Sequence, residues 1–154
     1  MDGLEGVRMA QDGEAPIEPR GLPRLRIVPD QRGFPAHIGP FYEVELEHGI
    51  RRALLLDQRH LNAQGIVDGG VLASFADFLL TRTVGDELGT DQAYVTIELS
   101  CQFHAAAHSG RWLYGEAQIL RRTGSLVFAA GELFDQNRRV AFASGIWKMI
   151  EGES

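Results

Sequence analysis

The sequence predicts an α+β domain in which one buried helix is wrapped by a curved antiparallel sheet. Two observations carry this. The run Val71, Leu72, Ala73, Phe75, Ala76, Phe78, Leu79 and Leu80 leaves no room for a solvated face and reads as a buried helix. After it, β-rich stretches are separated by the turn signals Ser109-Gly110, Thr123-Gly124 and Gln136-Asn137. Connections this short favour antiparallel pairing.

Residues 1 to 33 are rich in Gly, Pro, Asp, Glu and Arg and poor in large apolar side chains. Such a segment buries too little to offset its ordering entropy, so it reads as a loosely docked arm, with Leu25, Ile27 and Val28 left for local packing. Residues 34 to 154 form the single domain. Tyr42, Val44 and Leu46 alternate with Glu43, Glu45 and Glu47 as a half-buried strand. His48-Gly49 turns the chain into a returning strand, Ile50 to Asp57. A loop from Gln58 to Gly70 leads to the helix, which Asp68 can cap and which Gly85 and Gly89 end. Beyond it, Val95, Ile97, Leu99, Cys101 and Phe103 alternate with polar residues, and three further strands follow as a meander: Arg111 to Leu120, Leu126 to Phe134 and Val140 to Ile150. An edge-to-edge dimer would protect the open edges of such a sheet.

Composition narrows function. A net charge of -6 repels phosphate backbones at long range, which argues against nucleic acid as a partner. Cys101 is the single cysteine, so no intramolecular disulfide forms, as suits a reducing compartment. No apolar run reaches membrane-helix length and no secretory pattern opens the chain, so a cytoplasmic protein is expected. The histidines lack zinc-site spacing and no phosphate-cradling glycine loop occurs, so neither metal nor cofactor is expected.

The chemistry concentrates in the helix and the loop before it. Ser74, Asp77 and Thr81 fall on one stripe of the helix. Asp77 stands mid-helix between Ala76 and Phe78, so its carboxylate either faces water or occupies a cavity, where desolvation tunes it as base or nucleophile. Gly69 and Gly70 leave backbone N–H groups approachable at the positive end of the helix, where an oxyanion can be held. An ordinary capped loop would also explain those glycines.

The stretch His60-Leu61-Asn62-Ala63-Gln64-Gly65-Ile66-Val67-Asp68-Gly69-Gly70, followed after six residues by Asp77, resembles the hotdog thioesterases of the phenylacetic-acid-degradation (PaaI) type. Their pattern is H-x-N-x-x-G-x-x-H-G-G-x6-D, and every fixed position matches except Asp68, which replaces the second histidine. The resemblance extends from Gly39-Pro40-Phe41-Tyr42 through the downstream strands. It implies a hotdog fold, acyl-coenzyme A hydrolysis, and active sites at the interface of a homodimer, often within a tetramer. It assigns Asp77 as general base or nucleophile, the Gly69 N–H as oxyanion donor and Asn62 as the residue that orients water or substrate. Thr96 stands where some relatives carry a hydroxyl on the strand after the helix. His60, Asp68 and Gly70 are expected against the substrate. Arg121 and Arg122, with Arg138 and Arg139 as further candidates, are expected at the coenzyme phosphates or simply as solvated turn charges. An ionised Asp68 cannot donate to the thioester carbonyl. It therefore either only caps the helix, serves an altered substrate, or marks a non-catalytic module that binds an acyl thioester or a hydrophobic ligand. A hotdog dehydratase is a further alternative, but its histidine motifs are not found here.

Overall fold

A computed structural model of the chain describes residues 25–89, 91–136 and 138–151. Its elements are β1 (Arg26–Ile27), α1 (Phe34–Ile38), β2 (Phe41–Leu46), β3 (Gly49–Leu55), a 3-10 turn (Gln58–His60), α2 (Gly69–Leu88), β4 (Ala93–Phe103), β5 (Trp112–Arg122), β6 (Leu126–Asp135) and β7 (Arg138–Ile150). The strands form one antiparallel sheet in the order β1-β2-β3-β5-β6-β7-β4. The sheet curls around α2 in the hotdog arrangement. No helix among the described residues is long and apolar enough to cross a membrane.

At 20 residues, α2 is about 30 Å long. Leu72, Phe75, Ala76, Leu79, Leu80 and Val84 are buried, at the three- and four-residue spacing of one helix face. Small residues on the sheet let the helix approach: a Cβ at Gly115 would press on Leu79 and Phe75. Ala129, Ala141 and Ala143 complete the floor, with Leu133, Val127 and Trp147 filling the core between. The opposite side of α2 is not sealed. Ser74, Asp77 and Thr81 are half-buried, so the apolar run has a partly open stripe after all.

The strands after α2 do not form an uninterrupted meander. β4 pairs with β7 at one end of the sheet, and β5 pairs with β3. The Ser109-Gly110 turn is the cause. Gly110, at φ +80°, donates its N–H to Leu56 O (2.7 Å), and Leu56 N–H donates to Arg111 O (2.9 Å). The turn therefore docks the chain onto the end of β3, on the far side from β4. That leaves one edge of β4 without a strand partner among the described residues.

Within the segment read as a loose arm, residues 25–33 are docked. Arg26 and Ile27 pair with Glu43 and Tyr42, and Val28 is buried. The Gln31 amide donates to Val28 O and Phe41 O and accepts from Phe41 N–H, so one polar side chain satisfies the backbone where no strand continues. Residues 1–24 of that arm lie outside the described residues.

β4 departs from its expected alternation. Its register with β7 slips between Thr96 and Glu98. Before the slip, Tyr94 and Thr96 face α2, and Val95 and Ile97 stand 44% and 53% exposed. After it, Leu99 and Cys101 face the core. The bulge at Ile97 absorbs one residue and reverses the phase of the strand.

Candidate active site

The loop before α2 is built by local capping. The Asp57 side chain accepts from Arg59 N–H at 3.0 Å, and His60 Nδ1 accepts from Asp57 N–H at 2.9 Å. With Nδ1 as acceptor, Nε2 carries the proton and donates to Ile38 O at 2.8 Å. His60 is buried and both ring nitrogens are spent. Expected against the substrate, it instead clasps the loop to the end of α1. Asn62 heads a tight turn whose Oδ1 accepts from Gln64 N–H (2.9 Å), and the bridge between Leu61 and Val67 closes it. The Asn62 Nδ2 is left without a partner among the described residues.

Asp68 caps α2: its Oδ1 accepts from Gly70 N–H at 2.7 Å. A Cβ at Gly70 would sit 2.9 Å from that oxygen, which explains a glycine there. The cap spends the Gly70 N–H, so that group is not open to substrate. Val71 and Leu72 N–H both bond to Asp68 O, so Gly69 keeps the first unspent N–H of the helix among the described residues. The ring of Phe103, at the end of β4, lies beside it, 3.5 Å from where a Cβ of Gly69 would be. Sequence reasoning did not single out Phe103, since only the β4 register brings it there.

Two turns along α2, the Asp77 Oδ1 accepts from Thr96 Oγ1 at 3.0 Å. This contact exists because the Ile97 bulge turns Thr96 inward. Burial pushes the Cys101 thiol above its ordinary pKa, and the charges of Asp77 and Glu98 add to the rise. Cys101 is therefore held protonated near Asp77 and is poorly suited to act as a nucleophile.

The basic candidates divide. Arg121 and Arg122 end β5 beside the C-terminus of α2, where Arg122 stands 3.9 Å from Glu87. Glu87 lies ten residues beyond Asp77, about 15 Å along the axis. Within one chain these arginines are not gathered with the other candidates. Arg138 donates to Ala106 O, and the neighbouring Ala107 O accepts from Val67 N–H, so Arg138 stands at the Gly69 end. Arg139 is paired with Glu132. A separate open groove of about 760 Å³ is lined by the hairpin 46–51 with Glu116, Gln118, Ala130, Glu132 and Phe142. It lies on the sheet face turned away from α2 and contains none of the candidates.

Residues 64–142, just over half of the chain, match the family model described as the thioesterase superfamily. The Pseudomonas aeruginosa protein named "Putative esterase PA0474" is 29% identical over 113 residues, spanning 73% of this chain and 84% of that one. The phenylacetic acid degradation-related protein of Ralstonia eutropha JMP134 is 27% identical, with a TM-score of 0.61 over 66% of this chain and 75% of that one. The BH2602 protein of Bacillus halodurans, crystallised with CoA, is 21% identical and shares the fold, with a TM-score of 0.68 over 77% of this chain and 78% of that one. On sequence and fold together, the chain belongs to the thioesterase superfamily.

Proposed function

We propose that this protein hydrolyses acyl-coenzyme A thioesters, with Asp77 as general base or nucleophile and the Gly69 N–H as oxyanion donor. One observation carries the reading: a bulge turns the Thr96 hydroxyl onto a half-buried mid-helix carboxylate, aiming one Asp77 oxygen and leaving the other for water or substrate. In the water route, Asp77 takes a proton as the water oxygen bonds to the thioester carbon. The oxyanion forms against Gly69 N–H at the positive end of α2. Collapse breaks the C–S bond and releases coenzyme A thiolate, a good leaving group that needs no strong acid. In this reading Asn62, whose Nδ2 has no partner among the described residues, orients water or acyl group. Direct attack by Asp77 on the carbonyl would give the same products through an anhydride.

Eight residues separate Gly69 from Asp77, about 12 Å along the axis. One carbonyl cannot touch both in a single chain. The open edge of β4, with Val95 and Ile97 exposed, supports a site shared with a second copy. Thr96 sits by Asp77 and Phe103 by Gly69 on the same strand. Antiparallel pairing of two β4 edges about their middle brings Gly69 of a second copy toward Asp77 of the first. The functional unit is then a homodimer, or a tetramer of two such pairs. Coenzyme phosphates are held by Arg138, or by Arg121 and Arg122 of a further copy.

The second reading, a non-catalytic module, rests on the exposed Asp68 carboxylate beside Gly69. Thiol release from a panel of acyl-coenzyme A thioesters separates the two. Turnover by the wild type that Asp77→Asn abolishes while staying folded supports the hydrolase. Binding of the same thioesters without turnover would favour the module.

A further inference from the structure

Thr81 lies one helical turn beyond Asp77 on the same half-buried stripe of α2. Two side chains converge on it. Trp147 Nε1 donates to Thr81 Oγ1 at 3.0 Å, and the Tyr94 hydroxyl donates to Thr81 O at 3.2 Å. Both donors come from the immediate surroundings of Thr96. Tyr94 is the preceding inward residue of β4, and Trp147 is the residue directly paired with Thr96 across the ladder. Trp147 is fully buried, and burial pushes the Tyr94 phenol above its ordinary pKa, so both remain donors at neutral pH.

Gly85 explains how the tyrosine reaches the helix backbone. A Cβ at residue 85 would overlap the Tyr94 hydroxyl. A glycine inside a helix is destabilising relative to alanine, so its presence three residues before the end of α2 calls for a reason. The notch for Tyr94 supplies one.

We infer that Tyr94 and Trp147, gripping Thr81 across the notch at Gly85, are positioning residues for the Thr96–Asp77 pair. They lock β4 and β7 to α2 one turn from the carboxylate. The Ile97 bulge follows immediately, so the inward phase of the strand is held on one side of Thr96 and released on the other. Without the grip, Thr96 keeps its place in the ladder, but α2 can slide or rotate beneath it and the carboxylate loses its aim. This inference rests on the proposed hydrolase reading.

The test compares Tyr94→Phe, Thr81→Val, Thr81→Ser and Thr96→Val in the full-length protein, with thermal melting to confirm folding. Tyr94→Phe and Thr81→Val are expected to lower kcat about tenfold with KM within about twofold, because misplacing a catalytic group acts on the transition state. Thr81→Ser, which keeps the acceptor, is expected to recover most of the rate. Tyr94→Phe combined with Thr96→Val should lose less than the product of the single losses, since both act on the same carboxylate. A wild type that turns over while Tyr94→Phe and Thr81→Val match its kcat would overturn the positioning role and leave the hydrolase intact. Fully multiplicative losses would also overturn it. A wild type with no turnover on any thioester would remove the hydrolase reading and this inference with it.

Discussion

The two halves of α2 are held in opposite ways. From Thr81 onward side chains of other elements clamp the helix. Tyr94 and Trp147 hold Thr81, and Arg52, fully buried, donates to Thr83 Oγ1 (3.2 Å) and pairs with Asp86 at 2.6 Å. Glu43, also buried, stands 3.6 Å from Arg52 and receives Arg26 at 3.2 Å, tying β1, β2 and β3 to the same end. From Gly69 to Ser74, by contrast, Leu72 is buried in the core but no side chain of another element hydrogen-bonds to the helix among the described residues, and the Phe103 ring lies beside Gly69. Asp77 stands where the rigid half gives way to the open one. A catalytic carboxylate needs a fixed base, and an oxyanion donor needs open space before it; one helix supplies both by carrying its polar side-chain clamps at one end only.

That contrast predicts which substitutions break turnover and which break the fold. The largest effect is expected at Asp77. Asp77→Asn should lower kcat about 100- to 10,000-fold with the melting temperature nearly unchanged, read by thiol release and circular dichroism. Next is Arg52→Met, which leaves Glu43 buried beside a half-exposed partner. It should cost about 3 kcal/mol in urea unfolding while the folded fraction keeps near-normal kcat. A smaller effect is expected at the open end. Asp68→Asn retains a good cap but removes the charge beside Gly69, and should raise kcat/KM severalfold. Asp68→Ala should instead cost about 1 kcal/mol of stability through loss of the cap. A Asp68→Asn variant slower than wild type would show that the carboxylate has a positive part in catalysis.

The smallest effect concerns the far side of the sheet, where Tyr114 is buried under the Arg51 guanidinium. Burial pushes its phenol up to about 12, and Arg51 opposes the rise. The folded state therefore holds this proton after the unfolded chain has released it. The resulting stability is complete below about pH 10 and is lost as pH rises toward 12. Alkaline unfolding curves should be shallower in Tyr114→Phe; identical slopes would contradict that assignment.

Local signals made much of this legible in the sequence. The apolar run marked α2, Asp68 and Gly89 marked its ends, and the polar stripe marked Asp77, because each depends on neighbours within a turn or two; Gly85, also expected to end the helix, lies inside it. What failed depends on distant partners. Val95, Ile97 and Leu99 read as one apolar face, yet the bulge sends the first two outward and brings Thr96 in. No local cue distinguishes that from regular alternation. His60 carries the family pattern, but its partner is a carbonyl 22 residues earlier, so its role as a clasp shows only in three dimensions. The Ser109-Gly110 turn was visible; the strand it would join was not, since Leu56 decides that.

The most direct test asks whether Asp77 and Gly69 work together across two copies. Gly69→Pro removes the N–H alone, because proline suits the first position of a helix and Asp68 already has extended backbone, φ -63° and ψ 138°. Gly69→Pro and Asp77→Asn should each be nearly inactive as pure proteins. Mixed in equal amounts and allowed to exchange partners, they should regain about a quarter of wild-type thiol release, since half of the pairs then hold one intact site of two. No recovery from mixtures shown to contain mixed pairs would contradict a site shared between Asp77 and Gly69 of two chains.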